Sequence, residues 1–376
     1  MKLVMTEELE MLRKSTQDLV EKELAPLEQE VEETGVVPQE IYNKLKDLGY
    51  YGVNIPEEYG GMGYGLLGYC VVTEELSKTH PLFNLEVGLN NGLGKGPLYW
   101  YGTDEQKNYY LPKFASGELT CAFALTEPDA GSDAAAILTK AEKRGNKWVI
   151  NGTKHFISNG HNADIIMVIA KTNMEKGEVT AFIVEKGTPG FSVARRHKAM
   201  AGEEQAELVF EDCEVPEENI IGGVGLGFKA AMTALDDGRI SVGAASLGLA
   251  KRLLKMSTEY SKGRVQFGKP IASFQAIQFM LAEMATDIYV TEQAVYNTAW
   301  RMDQGEKIPN EAAIVKLFAS QMVCRAADHA VQIHGGQGYM REYPIERIYR
   351  EVRVLRILEG TDEIQKIVIA RNLLKG

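Results

Sequence analysis

The sequence predicts a multi-domain α+β chain, helical at its N-terminal end, β-rich in the middle and helical again to the end. Three observations carry this. Apolar residues recur at helical spacing up to about residue 120. From 121 to about 225 the pattern shortens to β-branched and aromatic runs broken by Gly, Pro and charged turns. From about 226 the chain offers long stretches nearly free of helix breakers, as in a bundle. The expected domains are 1–120, 121–225 and 226–376.

In chain order, TEELEMLRKSTQDLVEKELAPLEQEVEETG carries Leu9, Leu12, Leu19 and Leu24 on one helical face and stops at Gly35. PQEIYNKLKDLGYYG reads as a second helix, opened by Pro38 and ended near Gly49. A glycine-rich loop, IPEEYGGMGYG, precedes two further helices, YCVVTEELSKTH and TDEQKNYYLPKFASG. In the β-rich part, NKWVINGTKHFIS predicts two strands about a turn at Asn151-Gly152. DIIMVIAKT, VTAFIVEKG, FSVARR and AELVFEDCEVP read as further strands of a small barrel or sandwich. GGVGLGFKAAM reads as the linker into the helical bundle, because its glycine spacing fits neither a dinucleotide nor a P-loop motif.

The bulk properties narrow the function. The 376 residues carry a net charge of −11, which argues against nucleic acid and anionic membrane as partners. Four separated cysteines with no CxxC read as reduced thiols of a cytoplasmic protein. No signal-like or ~20-residue apolar run is visible, so no stable membrane insertion is expected. The six histidines are scattered at no ligand spacing, and no metal is expected.

The last segment, ILEGTDEIQ, sets a problem. Thr361 can cap a helix with Asp362 and Glu363 in its first turn, where acids suit the helix dipole. Glu359 precedes that cap and follows the apolar run Val354, Leu355, Ile357, Leu358. Local pattern alone makes it a solvated loop acid. CAFALTEPDAGSD, at the head of the β-rich part, exposes backbone N–H groups and hydroxyls suited to a phosphate or a polar ring edge. Taken by itself it serves equally as a turn between domains.

These motifs, with YGTDEQKNYYLPKFASGE, ELVFEDCEVP, RVQFGKPI, FQAIQFMLAEMA and VQIHGGQGYMREYPIERIYRE, occur in an order that resembles the acyl-CoA dehydrogenase family over essentially the whole chain. The resemblance implies a helical domain, a β-barrel and a four-helix bundle, with FAD held without a Rossmann fold. It places the flavin edge at Phe123, Leu125, Thr126, Gly131 and Ser132. Phe156, Ile157 and Ser158 of HFIS stand where the family usually has Trp-Ile-Thr, with the aromatic against the flavin and the hydroxyl on its N5. Arg264, Phe267 and Gln275 would reach the FAD of a neighbouring subunit, joined by Gln332, Ile333, Gly335 and Gly336 of QIHGG. Arg suits a diphosphate because it is always charged and binds bidentately. Thr361 and Glu363 are also implied at the cofactor. A shared FAD implies a homotetramer.

Ser132, Asp236 and Arg239 are implied on the CoA thioester arm, with Leu358 and Gly360 at the acyl group. Glu359 becomes the base that removes the α-proton while the β-hydrogen leaves as hydride. A free Glu, with a pKa of about 4.3, is too weak for this. Apolar burial and donors on the thioester carbonyl are expected to close the gap. A minority of the family carries the base at the position that is Gly238 here, which strengthens Glu359.

Three departures bear on the substrate. Leu358 replaces a frequent Tyr; KAMAGEEQAEL lacks a usual Arg and adds Glu203 and Glu204; and HPLFNLEVGLNNGLGKGP is unusually polar. Glu86 or Asn90 there is a candidate contact for a hydroxylated, cyclic or unsaturated acyl group, or else faces solvent. Asn84 lies about where glutaryl-CoA enzymes carry an Arg, which disfavours a dicarboxylyl substrate. The resemblance implies dehydrogenation in fatty-acid or amino-acid catabolism, with electrons passed to an electron-transferring flavoprotein. The same fold run backwards as an enoyl-CoA reductase, and a silent CoA-thioester binder, are the alternatives.

Overall fold

The computed structural model describes residues 5–374. The first four residues and the last two residues of the chain lie outside the described residues.

The N-terminal third is helical: α1 (Glu7–Leu19), α2 (Glu28–Thr34), α3 (Gln39–Asp47), α4 (Gly65–Leu76), α5 (Leu82–Asn91), α6 (Gly96–Tyr101) and α7 (Asp104–Ala115). Local chemistry fixes several ends. Thr6 caps α1 by accepting from the Leu9 N–H at 3.3 Å. Thr103 and Gln106 form a reciprocal capping box at the start of α7.

Eight strands follow: β1 (Cys121–Ala124), β2 (Lys140–Arg144), β3 (Lys147–Ser158), β4 (Ile165–Asn173), β5 (Glu178–Glu185), β6 (Phe191–Lys198), β7 (Glu204–Pro216) and β8 (Ile220–Ile221). They form one sheet in the order β6-β7-β3-β2-β4-β5-β8, with β1 beside β4. The C-terminal part is α8 (Gly227–Gly263), the short hairpin β9 (Val265–Gln266) and β10 (Lys269–Pro270), then α9 (Gln275–Asp303), α10 (Pro309–His334), α11 (Pro344–Val352) and α12 (Asp362–Leu374). At 37, 29 and 26 residues, α8, α9 and α10 are the long helices that the breaker-free stretches predict.

The turn expected at Asn151-Gly152 is not there. β3 runs straight through it, and the chain reverses between Arg144 and Lys147. Asn151 instead sits at an irregularity between β3 and β7, where its side-chain oxygen accepts the Asp212 N–H at 2.8 Å. Gly152 is needed because a Cβ there would lie 2.5 Å from the Thr139 hydroxyl, and because its φ is +150°.

The chain divides into two compact units. One holds the chain up to Glu28, Leu66–His80 and everything from Arg239; the other holds Gln29–Gly65 and Pro81–Gly238. The second unit has two hydrophobic layers, and period-2 alternation in the central strands builds both. Ile166, Val168, Ala170, Phe182 and Val184 face one layer with Trp148 and Phe210. Ile165, Met167, Ile169, Ala181 and Ile183 face the other, with Leu111 and Phe114 of α7. That is why β4 and β5 read as continuous apolar runs.

In the first unit, α8 packs so closely on α4 that a Cβ at Gly248 would lie 2.0 Å from the Glu74 carbonyl oxygen. The Glu74 side chain is buried there with Lys251 at 2.7 Å and takes a hydrogen bond from the Tyr296 hydroxyl.

Candidate active site

The first unit carries Glu359. It is partly buried and adopts φ +52°, a left-handed conformation uncommon for a side chain with a Cβ. Gly360 follows at φ +94°. Two successive positive φ values make a sharp turn between Leu358 and α12, and the surroundings hold it. Gln365 donates its amide to the Glu359 carbonyl at 3.2 Å and the Gly360 carbonyl at 2.9 Å. The Lys316 ammonium, fully buried, donates to the Gly360 carbonyl at 2.8 Å. Burial pulls the Lys316 pKa down to about 8, against the opposing pull of Asp362 and Glu359.

Asp362 is anchored in turn by Arg356 at 2.7 Å and by Ser320 and Gln321 at 3.1 Å. Thr361 starts α12 as expected, its hydroxyl accepting from the Ile364 N–H at 3.4 Å. Glu363 is exposed, while Leu358 and Gly360 are partly buried. Tyr69, fully buried, feels the Glu359 charge; its pKa rises mainly through burial, with Glu359 adding to the rise. Arg239 is buried within reach of Lys316, whose pKa it lowers.

The same unit gathers part of the expected phosphate clamp. Arg264, Ile333, Gly335 and Gly336 line one groove of about 580 Å³ with Tyr260 and His334. A Cβ on either glycine would meet nothing within 4 Å, so the backbone there is open to a close-lying group. Arg264 makes no ion pair among the described residues. Gln275, Gln332 and Phe267 are not in this groove. Phe267 and Gly268 form the two-residue turn of the β9–β10 hairpin, both at positive φ, and Phe267 is 92% exposed.

The second unit carries the expected flavin edge. The His155 N–H donates to the Thr126 carbonyl at 2.8 Å, bringing TEPDAGSD and HFIS together. Lys154 reinforces the join from below. Its ammonium, fully buried, reaches the Leu125 carbonyl at 2.9 Å and the Glu127 carboxylate at 2.7 Å. Burial holds the Lys154 pKa down to about 8. Burial acts on Glu127 too, but Lys154 and the Leu138 N–H prevail and keep its carboxyl below the usual range.

Between Lys154 and Ile157 the pairing of β3 with β7 slips, and Phe156 takes φ +57°. The bulge turns its ring outward, 59% exposed. Ile157 points into the core, and Phe123 and Leu125 are also core residues, so only their backbones face the loop side. Ser158 donates its hydroxyl to Gln205 at 2.8 Å. Gly131 and Ser132 are exposed on the loop, and Asp236 is partly buried on α8. Beside it, Asp237 accepts the Trp100 indole N–H at 2.9 Å.

The polar helix α5 departs from expectation. Asn90 neither faces solvent nor offers itself to an acyl group. Its two amide hydrogens go to the Phe114 and Leu119 carbonyls at 3.1 and 2.9 Å, and its oxygen takes the Cys121 N–H at 3.1 Å. It is a fully buried tie between α5, α7 and β1. Glu86 accepts the Tyr51 hydroxyl at 2.6 Å, and burial raises its pKa.

Sequence reasoning missed Lys154, Lys316 and Gln365, which hold the two turns. Nothing local marks them. It also missed that His155 and His197 flank one carboxylate, Glu207, at 3.3 Å each.

Family models for the acyl-CoA dehydrogenase N-terminal, middle and C-terminal domains match residues 6–118, 122–213 and 225–374. The chain belongs to the acyl-CoA dehydrogenase family. Members of that family are flavoproteins, and the chain is an oxidoreductase acting on a CH–CH bond. It is 43% identical to a probable acyl-CoA dehydrogenase of Bacillus subtilis over 100% of both chains. It is 44% identical to an acryloyl-CoA reductase (NADH) of Anaerotignum propionicum, covering 99% of this chain and 95% of that one. A chain solved in a study of the electron transferring flavoprotein of Acidaminococcus fermentans superposes with TM-score 0.97 at 42% identity over 100% of both. Among the described residues, no helix is long and apolar enough to cross a membrane.

Proposed function

We propose that this acyl-CoA dehydrogenase family member binds FAD and removes the α- and β-hydrogens of an acyl-CoA thioester to give the 2-enoyl-CoA. Glu359 takes the α-proton. FAD, when bound, supplies the acceptor for the β-hydride. The observation that carries the reading is the turn at Glu359 and Gly360. Two left-handed residues, one of them glutamate, are held by Gln365 and the buried Lys316. Strain of this kind persists only where the surroundings over-determine it, and it collects at active sites.

The residues present fit the cofactor. Phe156 is turned out at a bulge beside the Thr126 backbone, which suits a flavin ring. Arg264 and the open glycines Gly335 and Gly336 share one groove, which suits a diphosphate. Ser158 would exchange its Gln205 acceptor for the flavin. Ser132, Asp236 and Arg239 remain the proposed contacts for the CoA arm, with Leu358 and Gly360 at the acyl group. Phe267, Gln275, Gln332, Thr361 and Glu363 complete the proposed cofactor set. The division into 1–120, 121–225 and 226–376 is proposed on the same footing.

An electron-transferring flavoprotein is the proposed redox partner, supported by the similarity to the chain from the Acidaminococcus fermentans study. The similarity to the acryloyl-CoA reductase favours a second reading, the same chemistry run from enoyl-CoA to acyl-CoA. Anaerobic titration of the flavin-loaded protein with butyryl-, isobutyryl-, isovaleryl- and octanoyl-CoA tests the first. One thioester should bleach the flavin, and Glu359→Gln should slow bleaching about 10²–10⁴-fold while still binding FAD. Bleaching at the wild-type rate in the variant would remove Glu359 as the base. A flavin bleached by no saturated thioester, but reoxidised after reduction by an enoyl-CoA, would select the reductase direction.

A further inference from the structure

β3, β7 and β6 lie side by side, and they bring together three side chains with no sequence proximity. His197 of β6 stands opposite Gln205 of β7, and Glu207 lies two residues along β7 on the same face. On the other side of β7, the β3 bulge places His155 and Phe156 against the same residue. His155 Nδ1, His197 Nε2 and a Glu207 oxygen all lie within 4.8 Å of one another. Each histidine nitrogen is 3.3 Å from the same oxygen, Oε2.

His197 Nε2 hydrogen-bonds Glu207 at that distance, which is long beside the ~2.7–2.9 Å of a charge-assisted pair. The distance is close to the edge of a tetrahedron around an ion with bonds of about 2.0–2.1 Å to nitrogen and oxygen. The alignment points the same way. His155 Nδ1 is buried and makes no hydrogen bond, although the carboxylate is beside it. The two rings stand 4.6 Å apart, tilted by 38°, and each places one nitrogen 3.3 Å from the carboxylate.

We propose that His155, His197 and Glu207 form a site for one divalent transition-metal ion of the zinc class, with a fourth position open to water. Two imidazoles and one carboxylate are a donor set that zinc accepts.

The ion would act as a clamp. It would tie the β3 bulge to β7 and β6, one residue before the outward-turned Phe156, whose ring meets His155 at 3.9 Å and His197 at 5.7 Å. Holding His155 would thereby fix the φ +57° conformation that presents the Phe156 ring. This site does not rest on the catalytic reading, since it needs neither Glu359 nor a thioester.

The test is calorimetric titration of Zn²⁺ into chelator-stripped, flavin-loaded protein, with His197→Ala, Glu207→Gln and His329→Ala beside the wild type. His329 pairs with Glu283 at 3.1 Å and is the control for adventitious binding. One equivalent should bind the wild type and His329→Ala alike. Affinity should fall at least about tenfold in each of the other two, as expected for loss of a metal-site group. Zinc-edge X-ray absorption of the wild-type complex should show two imidazole ligands, a result independent of how the variants fold. No binding, equal binding by all four proteins, loss only in His329→Ala, or a spectrum without histidine would each overturn the site.

Discussion

At the scale of single residues, the chain puts unusual backbone where the chemistry is proposed. Among the described residues, five without a glycine's freedom take positive φ, and Phe156, Phe267 and Glu359 are three of them. None of these three is stabilised by its own preference, so each is held by neighbours. Gly360 shows how tight the hold is. A Cβ there would lie 2.7 Å from Gln365 Nε2, and φ is +94°. Gly360→Ala should push the Gln365 amide off the Glu359 and Gly360 carbonyls and misplace the carboxylate. Thioester turnover should drop about tenfold to a hundredfold, the scale of a 1 Å misplacement, while the FAD content of the purified variant stays at the wild-type level. Unchanged turnover would show that the turn is not what positions Glu359.

Among the elements, β3 and the loop after β1 are joined by one buried pair. Glu127 accepts from the Lys154 ammonium and from the Leu138 and Thr139 N–H groups. Glu127→Gln leaves Lys154 buried without its counter-charge and should cost about 3–5 kcal/mol near pH 6. In the wild type Lys154 titrates at about 8, already below its ordinary value. Removing Glu127 lowers it further. The unfolded variant then binds more protons than the folded one at neutral pH, so its stability rises with pH. Between about pH 6 and 7 urea midpoints of the variant should climb toward those of the wild type, in which this lysine is still mostly protonated. Parallel midpoints across that range would show that Lys154 stays charged without its partner.

The whole molecule presents apolar surface that one chain does not cover. Phe279 and Tyr289 of α9 are 60% and 65% exposed, and Phe267 stands out at the tip of its hairpin. Contiguous exposed apolar patches mark interaction surfaces, and α9 also exposes Val290 next to Tyr289. We propose a homotetramer built on it, which would carry Arg264, Phe267 and Gln275 toward a neighbouring subunit's cofactor. Light scattering should give about four times the 41.6 kDa chain mass. Phe279→Glu with Tyr289→Glu should lower that mass and weaken FAD retention together. A wild-type particle of one chain mass would remove the shared-cofactor reading.

The sequence by itself determined the fold class, the long helices and the order of the motifs, because these rest on periodicity, caps and breakers within a few residues. It singled out Glu359 only through the resemblance to the family, since local pattern alone makes it a solvated loop acid. Tertiary structure decided what depends on neighbours distant in sequence. It carried β3 through Asn151-Gly152, because Thr139 and β7 pack against that backbone and leave no room for a reversal. It spent Asn90 on the Phe114, Leu119 and Cys121 backbones. It gathered His155, His197 and Glu207 from three strands. Strand pairing and buried hydrogen bonds join positions that local sequence cannot relate, and they alone set which polar groups are spent on the fold and which remain for chemistry.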